Sequence, residues 1–176
     1  MIWAPYFKMK RVKIADLCIH LPKNRVGNEE IEARVNSRSK LLPEGGLERL
    51  FGIRERRFAA KNEQVSDLAT QAAKPIVERL GASNIEFLIF ASACQDLIEP
   101  ATANIVQHKL GLHCPAMDVK NACNSFVSGM MTASSLIAAG ICANVLIVSG
   151  EKPSDAIRFD FDHAAQLSPY LAGFTF

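Results

Sequence analysis

Residues 85–91 read Ile-Glu-Phe-Leu-Ile-Phe-Ala, a near-continuous apolar run. A run of that length marks a β-strand covered on both faces. Two more short apolar runs follow, at 116–119 and 145–149, and helical segments separate the three. The first separator opens at Glu99-Pro100, with proline in its first turn, and stops at Gly111. The second covers 124–139 and is apolar or small on nearly every side, which predicts a central helix buried all round. Met130 and Met131 within it are then core residues rather than the lining of a tunnel. Alternating strands and helices of this kind belong to the α/β class with a mainly parallel sheet.

Upstream, residues 12–19 alternate weakly and predict a first strand closed by Leu21-Pro22. Asn28 followed by Glu29-Glu30 is a helix start, a capping side chain followed by acids at the positive dipole end. Residues 47–51 predict a short helix ended by Gly52, and the charged segment 52–60 a short edge strand. Ser66 reads as the cap of a helix whose apolar positions 68, 69, 72, 73, 76, 77 and 80 form one face, with Gly81 as its stop. After Gly150 the composition turns polar, and a loop is expected until Tyr170.

At 176 residues and 49% hydrophobic, the chain can bury one full core. A net charge of +2 gives no sign of a nucleic-acid or membrane surface. No stretch reaches the roughly 20 apolar residues of a membrane span. Residues 1–9 read as a lead and 10–176 as one domain without an internal linker. Five cysteines, at 18, 94, 114, 123 and 142, form no Cys-x-x-Cys pair. That pattern fits a reducing cytoplasm better than a disulfide framework or a metal site. The four histidines read as surface or loop residues, and Asp160, Asp162 and His163 as a solvated loop.

Cys123 stands where the 116–119 strand meets the following helix. A thiol at a helix N-terminus meets unpaired N–H groups that favour the thiolate, and its own N–H can face an oxyanion. Cysteine is also among the most often buried residues, and spacing alone favours a core role. The surrounding letters reverse that ranking.

Four segments carry a family likeness: the first strand through Leu21-Pro22; Gly52-Ile53-Arg54-Glu55-Arg56 with Ala59-Ala60; Asn62-Glu63 with Ser66-Asp67-Leu68-Ala69; and Asp118-Val119 through Ala122-Cys123-Asn124-Ser125-Phe126. In their order and spacing the chain resembles the N-terminal half of the β-ketoacyl-acyl carrier protein synthase III family, among the thiolase-like condensing enzymes. The resemblance implies a thiolase-like half with a mainly parallel mixed sheet and a buried helix after the catalytic cysteine. It implies that Cys123 takes an acyl group from coenzyme A or a carrier protein, ahead of a decarboxylating Claisen condensation with a malonyl-type thioester. It also implies a homodimer paired through the 145–149 strand, acting in the cytoplasm without a bound cofactor or metal.

The family's condensation uses a His and an Asn from the second half of a chain nearly twice this long, so the sequence reads as a truncated or incompletely represented enzyme, expected to be inactive alone. A non-catalytic half acting as an assembly partner is the reading from another class. The family's Trp and Arg for stacking coenzyme A are replaced by Gly46 and Leu50, leaving Arg49 beside the position. Arg49 and Arg54 are the candidates for binding the donor's phosphates, and for the Arg54 cluster a solvated charged edge is an equal reading. Leu97-Ile98-Glu99-Pro100 resembles the head-to-head condensing enzymes of long-chain olefin biosynthesis, whose Glu at this point reaches across the dimer as a base. Against that stands a Glu99 that only favours the N-terminus of its helix.

Overall fold

A computed structural model describes residues 12–170. The elements in chain order are β1 (Asn24–Gly27), α1 (Asn28–Val35), α2 (Gly46–Phe51), β2 (Glu55–Phe58), α3 (Val65–Leu80), β3 (Phe87–Ala91), α4 (Thr102–Leu110), β4 (Ala116–Val119), α5 (Ser125–Ala138), β5 (Val145–Val148) and α6 (Ala164–Leu167). They fall into two packing units, one of residues 12–20 with 64–151 and the other of 21–63 with 152–170. The expected lead at 1–9 and the apolar end at 172–176 lie outside the described residues.

In the first unit three parallel strands run in the order β4-β3-β5, with Ile89 opposite both Met117 and Ile147. Side chains alternate between sheet faces, and β3 is buried on both. Leu88 and Phe90 share one core with Val65, Ala69 and Ala73 of α3 and Ala103 and Val106 of α4. Ile89 and Ala91 pack with Ala133 and Leu136 of α5. That double cover is the physical reason for the unbroken apolar letters at 85–91.

Gly129 sets how closely α5 approaches the sheet: a Cβ there would lie 2.8 Å from the Ala91 methyl and 3.3 Å from Ile147. At Gly150 a Cβ would come within 2.1 Å of the Val65 carbonyl oxygen, so the end of β5 abuts the start of α3 backbone to backbone.

Two expectations fail in this unit. Residues 12–19 form no strand: the segment carries no ladder, and Ile14, Leu17 and Ile19 are exposed. It is tied by side chains instead, with Asp16 2.6 Å and the Cys18 sulfur 3.1 Å from the Arg79 guanidinium in the last turn of α3. Alternating letters supplied the pattern, but no sheet edge among the described residues receives it. Nor is α5 buried all round. Only Ser125, Gly129 and Ala133, one stripe at intervals of four, are buried; Phe126, Val127, Met130 and Met131 are exposed, Met131 by 65%. The two methionines are therefore not core. A helix seated on one sheet face hides one stripe, whatever the composition of the rest.

Helix starts also shift. Gln64 and Asp67, not Ser66, form the capping box of α3, and Ser66 is fully buried in its first turn. α4 begins at Thr102 rather than at Glu99-Pro100.

In the second unit β1 and β2 pair antiparallel, Val26 opposite Arg56, which places the charged segment on a two-stranded sheet as expected. Gly27 occupies the cap of α1; Asn28 instead donates to the Ile53 carbonyl and accepts from buried Arg56. Ile31, Val35, Leu47, Phe161 and Leu167 are among its core residues. Buried Glu32 reaches from α1 to accept the N–H groups of Gly45 (3.0 Å) and Leu47 (2.8 Å), capping α2. Within the polar tail, read as loop, α6 and a short 3₁₀ turn at Pro153–Asp155 form.

Candidate functional site

The carboxyl ends of parallel strands share one edge, where ligands of open α/β sheets bind. At that edge β4 leads into the turn 120–124, which presents Cys123. Ala122 has φ 47°, a left-handed value that costs a non-glycine residue about 1–2 kcal/mol. The turn is closed by Asn124 N–H on the Asn121 carbonyl (3.0 Å) and Ser125 N–H on the Ala122 carbonyl (3.1 Å). Buried Ser125 adds its hydroxyl, accepting from Asn121 N–H (2.8 Å) and donating to the Ala122 carbonyl (2.7 Å). Asn121 Nδ2 donates to Ser128 Oγ (2.9 Å). Cys123 itself is free and exposed, whereas Cys114 is free but buried. The first helical residue is Ser125, so the thiol stands two residues ahead of α5. A strand, a strained tight turn and a helix are the parts of a nucleophile elbow.

The β3–α4 loop brings Glu99 to the same edge. Its base is pinned on every side. Ser92 Oγ shares its one hydrogen between the Gly150 carbonyl (2.7 Å) and Glu151 (2.8 Å), and Glu151 also accepts Ala93 N–H. Gln95 accepts from Lys120 (3.1 Å), three residues before the thiol. Asp96 accepts Ser66 N–H and donates its own N–H to Thr102 Oγ1. Beyond the tip, Asp118 of β4 takes Thr102 N–H (2.9 Å) and Ala103 N–H (2.7 Å), capping α4 with a carboxylate where its dipole is positive. Glu99 therefore does not cap that helix. It lies on an exposed tip with Leu97, Ile98 and Pro100, Ile98 being 89% exposed.

Arg49 and Arg54 lie in the other unit. Arg49 donates to the Glu44 carbonyl (3.0 Å), and Arg54, with its side chain 84% exposed, pairs with Glu48 (2.9 Å). A recess of about 700 Å³ in that unit, bordered by Glu29, Asn36, Leu41 and Pro43, holds none of the predicted residues. Asp160 and Asp162 pair with Arg158 and Arg38, and no metal-binding cluster of His, Cys, Asp or Glu occurs among the described residues.

Sequence reasoning missed the bonding roles of Ser125, which grips only the backbone of the turn, and of the Asp96 and Glu151 carboxylates, whose partners are 30 or more residues away. Asp118 carried a signal, an acid inside an apolar strand.

A family model described as 3-oxoacyl-[acyl-carrier-protein] synthase III matches residues 117–168, which include the Cys123 turn. The β-ketoacyl-[acyl-carrier-protein] synthase III of Neisseria meningitidis serogroup C is 35% identical over 147 residues, 81% of this chain and 44% of that protein. Its Helicobacter pylori counterpart is 34% identical over 150 residues, covering 83% and 44%. The chain thus spans less than half the length of these relatives. Among solved structures, the synthase III of Xanthomonas oryzae superposes with a TM-score of 0.76 at 33% identity, over 83% of this chain and 45% of that one. Xanthomonas campestris OleA, crystallised as a Cys-to-Ser variant with lauric acid and lauroyl-CoA, gives 0.83 at 30% identity, over 95% and 53%. In motif order, in the region matched around Cys123 and in fold, the chain belongs to the 3-oxoacyl-[acyl-carrier-protein] synthase III family of thiolase-like condensing enzymes, and corresponds to the N-terminal half of its members.

Proposed function

We propose that this chain carries the acyl-accepting thiol of a condensing enzyme of the synthase III type. The observation that supports it is the exposed Cys123, held on a strained turn between β4 and α5 at the sheet's carboxyl edge. In the first step the Cys123 thiolate attacks the carbonyl of an acyl thioester, the donor's C–S bond breaks, and the released thiolate of coenzyme A or the carrier protein takes up a proton. In the second, a malonyl-type thioester loses carbon dioxide to give an enolate, which attacks the acyl carbon and returns the Cys123 thiolate. The N–H groups of Asn121, Asn124 and Ser125 are taken up within the turn, and the N–H of Cys123 itself is the proposed donor to a developing oxyanion.

Acyl-coenzyme A or acyl carrier protein is the proposed donor, with Arg49 and Arg54 as candidate phosphate contacts, and no bound cofactor or metal is invoked. Five free cysteines support a reducing cytoplasmic setting. No helix among the described residues is long and apolar enough to cross a membrane. Among the described residues β5 is an edge strand of its sheet, and that edge is the proposed place for the twofold of a homodimer.

A second reading, head-to-head condensation of long acyl chains, is favoured by Glu99 on an exposed tip whose base is bonded to the Cys123 junction, and by the fit to OleA. Mass spectrometry of the full-length protein incubated with acetyl-CoA and lauroyl-CoA tests the nucleophile. An acyl adduct on Cys123, absent in Cys123→Ser, is expected. Adducts elsewhere, or none, would reject the assignment, and the preferred chain length separates the two readings.

A further inference from the structure

We propose that Ser125 is a positioning residue, whose hydroxyl holds the turn from which Cys123 is presented. The inference rests on the reading of Cys123 as the acyl acceptor. Ser125 is 2% exposed, and its hydroxyl gives one acceptor and one donor bond to the residues before the thiol, Asn121 N–H at 2.8 Å and the Ala122 carbonyl at 2.7 Å. Those two bonds bracket the one non-glycine residue with positive φ among the described residues. An alanine left to itself relaxes out of that region, and persists there only where its surroundings hold it. The tie between Asn121 Nδ2 and Ser128 reaches Asn121 alone. The side-chain grip on the Ala122 carbonyl therefore belongs to Ser125.

Removing the hydroxyl leaves two backbone bonds of the turn in place, Asn124 N–H to Asn121 and Ser125 N–H to Ala122. The helix start survives while the left-handed residue loses its clamp. Cys123 is the next residue, so a relaxed Ala122 swings the thiol away from its presented position. A misplacement of about 1 Å costs an enzyme on the order of 10²-fold in rate, and a partial relaxation about tenfold.

The full-length protein is compared as wild type, Ser125→Ala, Ala122→Gly and the double variant. Mass spectrometry reads Cys123 twice, by its rate of alkylation with iodoacetamide and by its rate of acylation from lauroyl-CoA. Cys94 alkylation and the thermal midpoint serve as controls. Ser125→Ala is expected to slow both rates at Cys123 about tenfold with both controls near wild type. Ala122→Gly in that background is expected to restore most of the loss, because glycine holds a positive φ without a clamp. Unchanged or faster Cys123 rates in Ser125→Ala overturn the proposal. A loss that Ala122→Gly does not restore overturns it too, as does a parallel rise in Cys94 labelling, the mark of general loosening. If alkylation of Cys123 depends on Ser125 while the wild type takes up no acyl group, the positioning role stands and the nucleophile assignment falls.

Discussion

Glu99 and Cys123 reach the same sheet edge by different means, and the difference decides what a substitution at each can reveal. Cys123 sits in a turn closed by backbone and side-chain bonds. Glu99 sits on a tip whose four residues, 97–100, make no side-chain hydrogen bond or ion pair among the described residues, so a change there removes a carboxylate and little else. If Glu99 acts as a base, Glu99→Ala leaves acylation of Cys123 near the wild-type rate. It slows condensation by about 10²-fold, the lower end of what a positioned base contributes. Single-turnover acylation measured beside steady-state product formation separates the steps, and equal loss in both would assign Glu99 a structural role. Asp118 shows the complementary case: its carboxylate is spent on the N–H groups of Thr102 and Ala103, and is available to a substrate only at the cost of the α4 cap.

Between elements, the contact of α5 with β3 depends on a missing methyl. An alanine at 129 would gain up to about 1 kcal/mol of helix propensity. It would also force its Cβ to 2.8 Å from Ala91, and overpacking of that kind costs about 1–3 kcal/mol. The second effect wins: Gly129→Ala is expected to destabilise by about 1–2 kcal/mol in urea unfolding, and Ala91→Gly in the same chain to return part of the loss. Additive losses would show that the two positions do not meet. The sequence marked where such elements lie more readily than what covers them. β3, β4 and β5 were legible because a strand between two layers writes its burial as apolar letters. The α5 face was misread because Phe126, Val127, Met130 and Met131 carry the same letters without the cover. The 12–19 segment alternates like a strand, and the letters hold no information about whether an edge is present to pair with it. At the candidate site, Cys123 and Glu99 were singled out through family motifs, whereas the Ser92–Glu151 and Asp96–Ser66 ties join positions far apart in sequence and have no local signature.

For the molecule as a whole, the tie between α3 and α4 is one contributor to acid sensitivity. Lys109 Nζ lies 2.6 Å from both Ser66 Oγ and Asp67. That hydrogen bond, followed by the one from Gln64 N–H, holds the Asp67 carboxyl below its ordinary value of 3.8. A carboxyl lowered in the folded state stabilises it above the unfolded value, and the gain fades as pH falls through the lower folded value. Asp67→Asn is therefore expected to cost about 1 kcal/mol near neutrality, since the pair is partly solvated. The gap to wild type should close below about pH 3.8. Thermal midpoints measured between pH 7 and pH 3 check it, and a gap that persists in acid would point to a packing effect. The β3–α4 loop carries a different consequence at this scale. Its footing answers to five distant partners, while the four tip residues answer to none of them. Structural duty is thus written at the base of the loop and not at its tip. A lineage built on this scaffold is free to rewrite residues 97–100, the proposed base Glu99 among them, without renegotiating the fold.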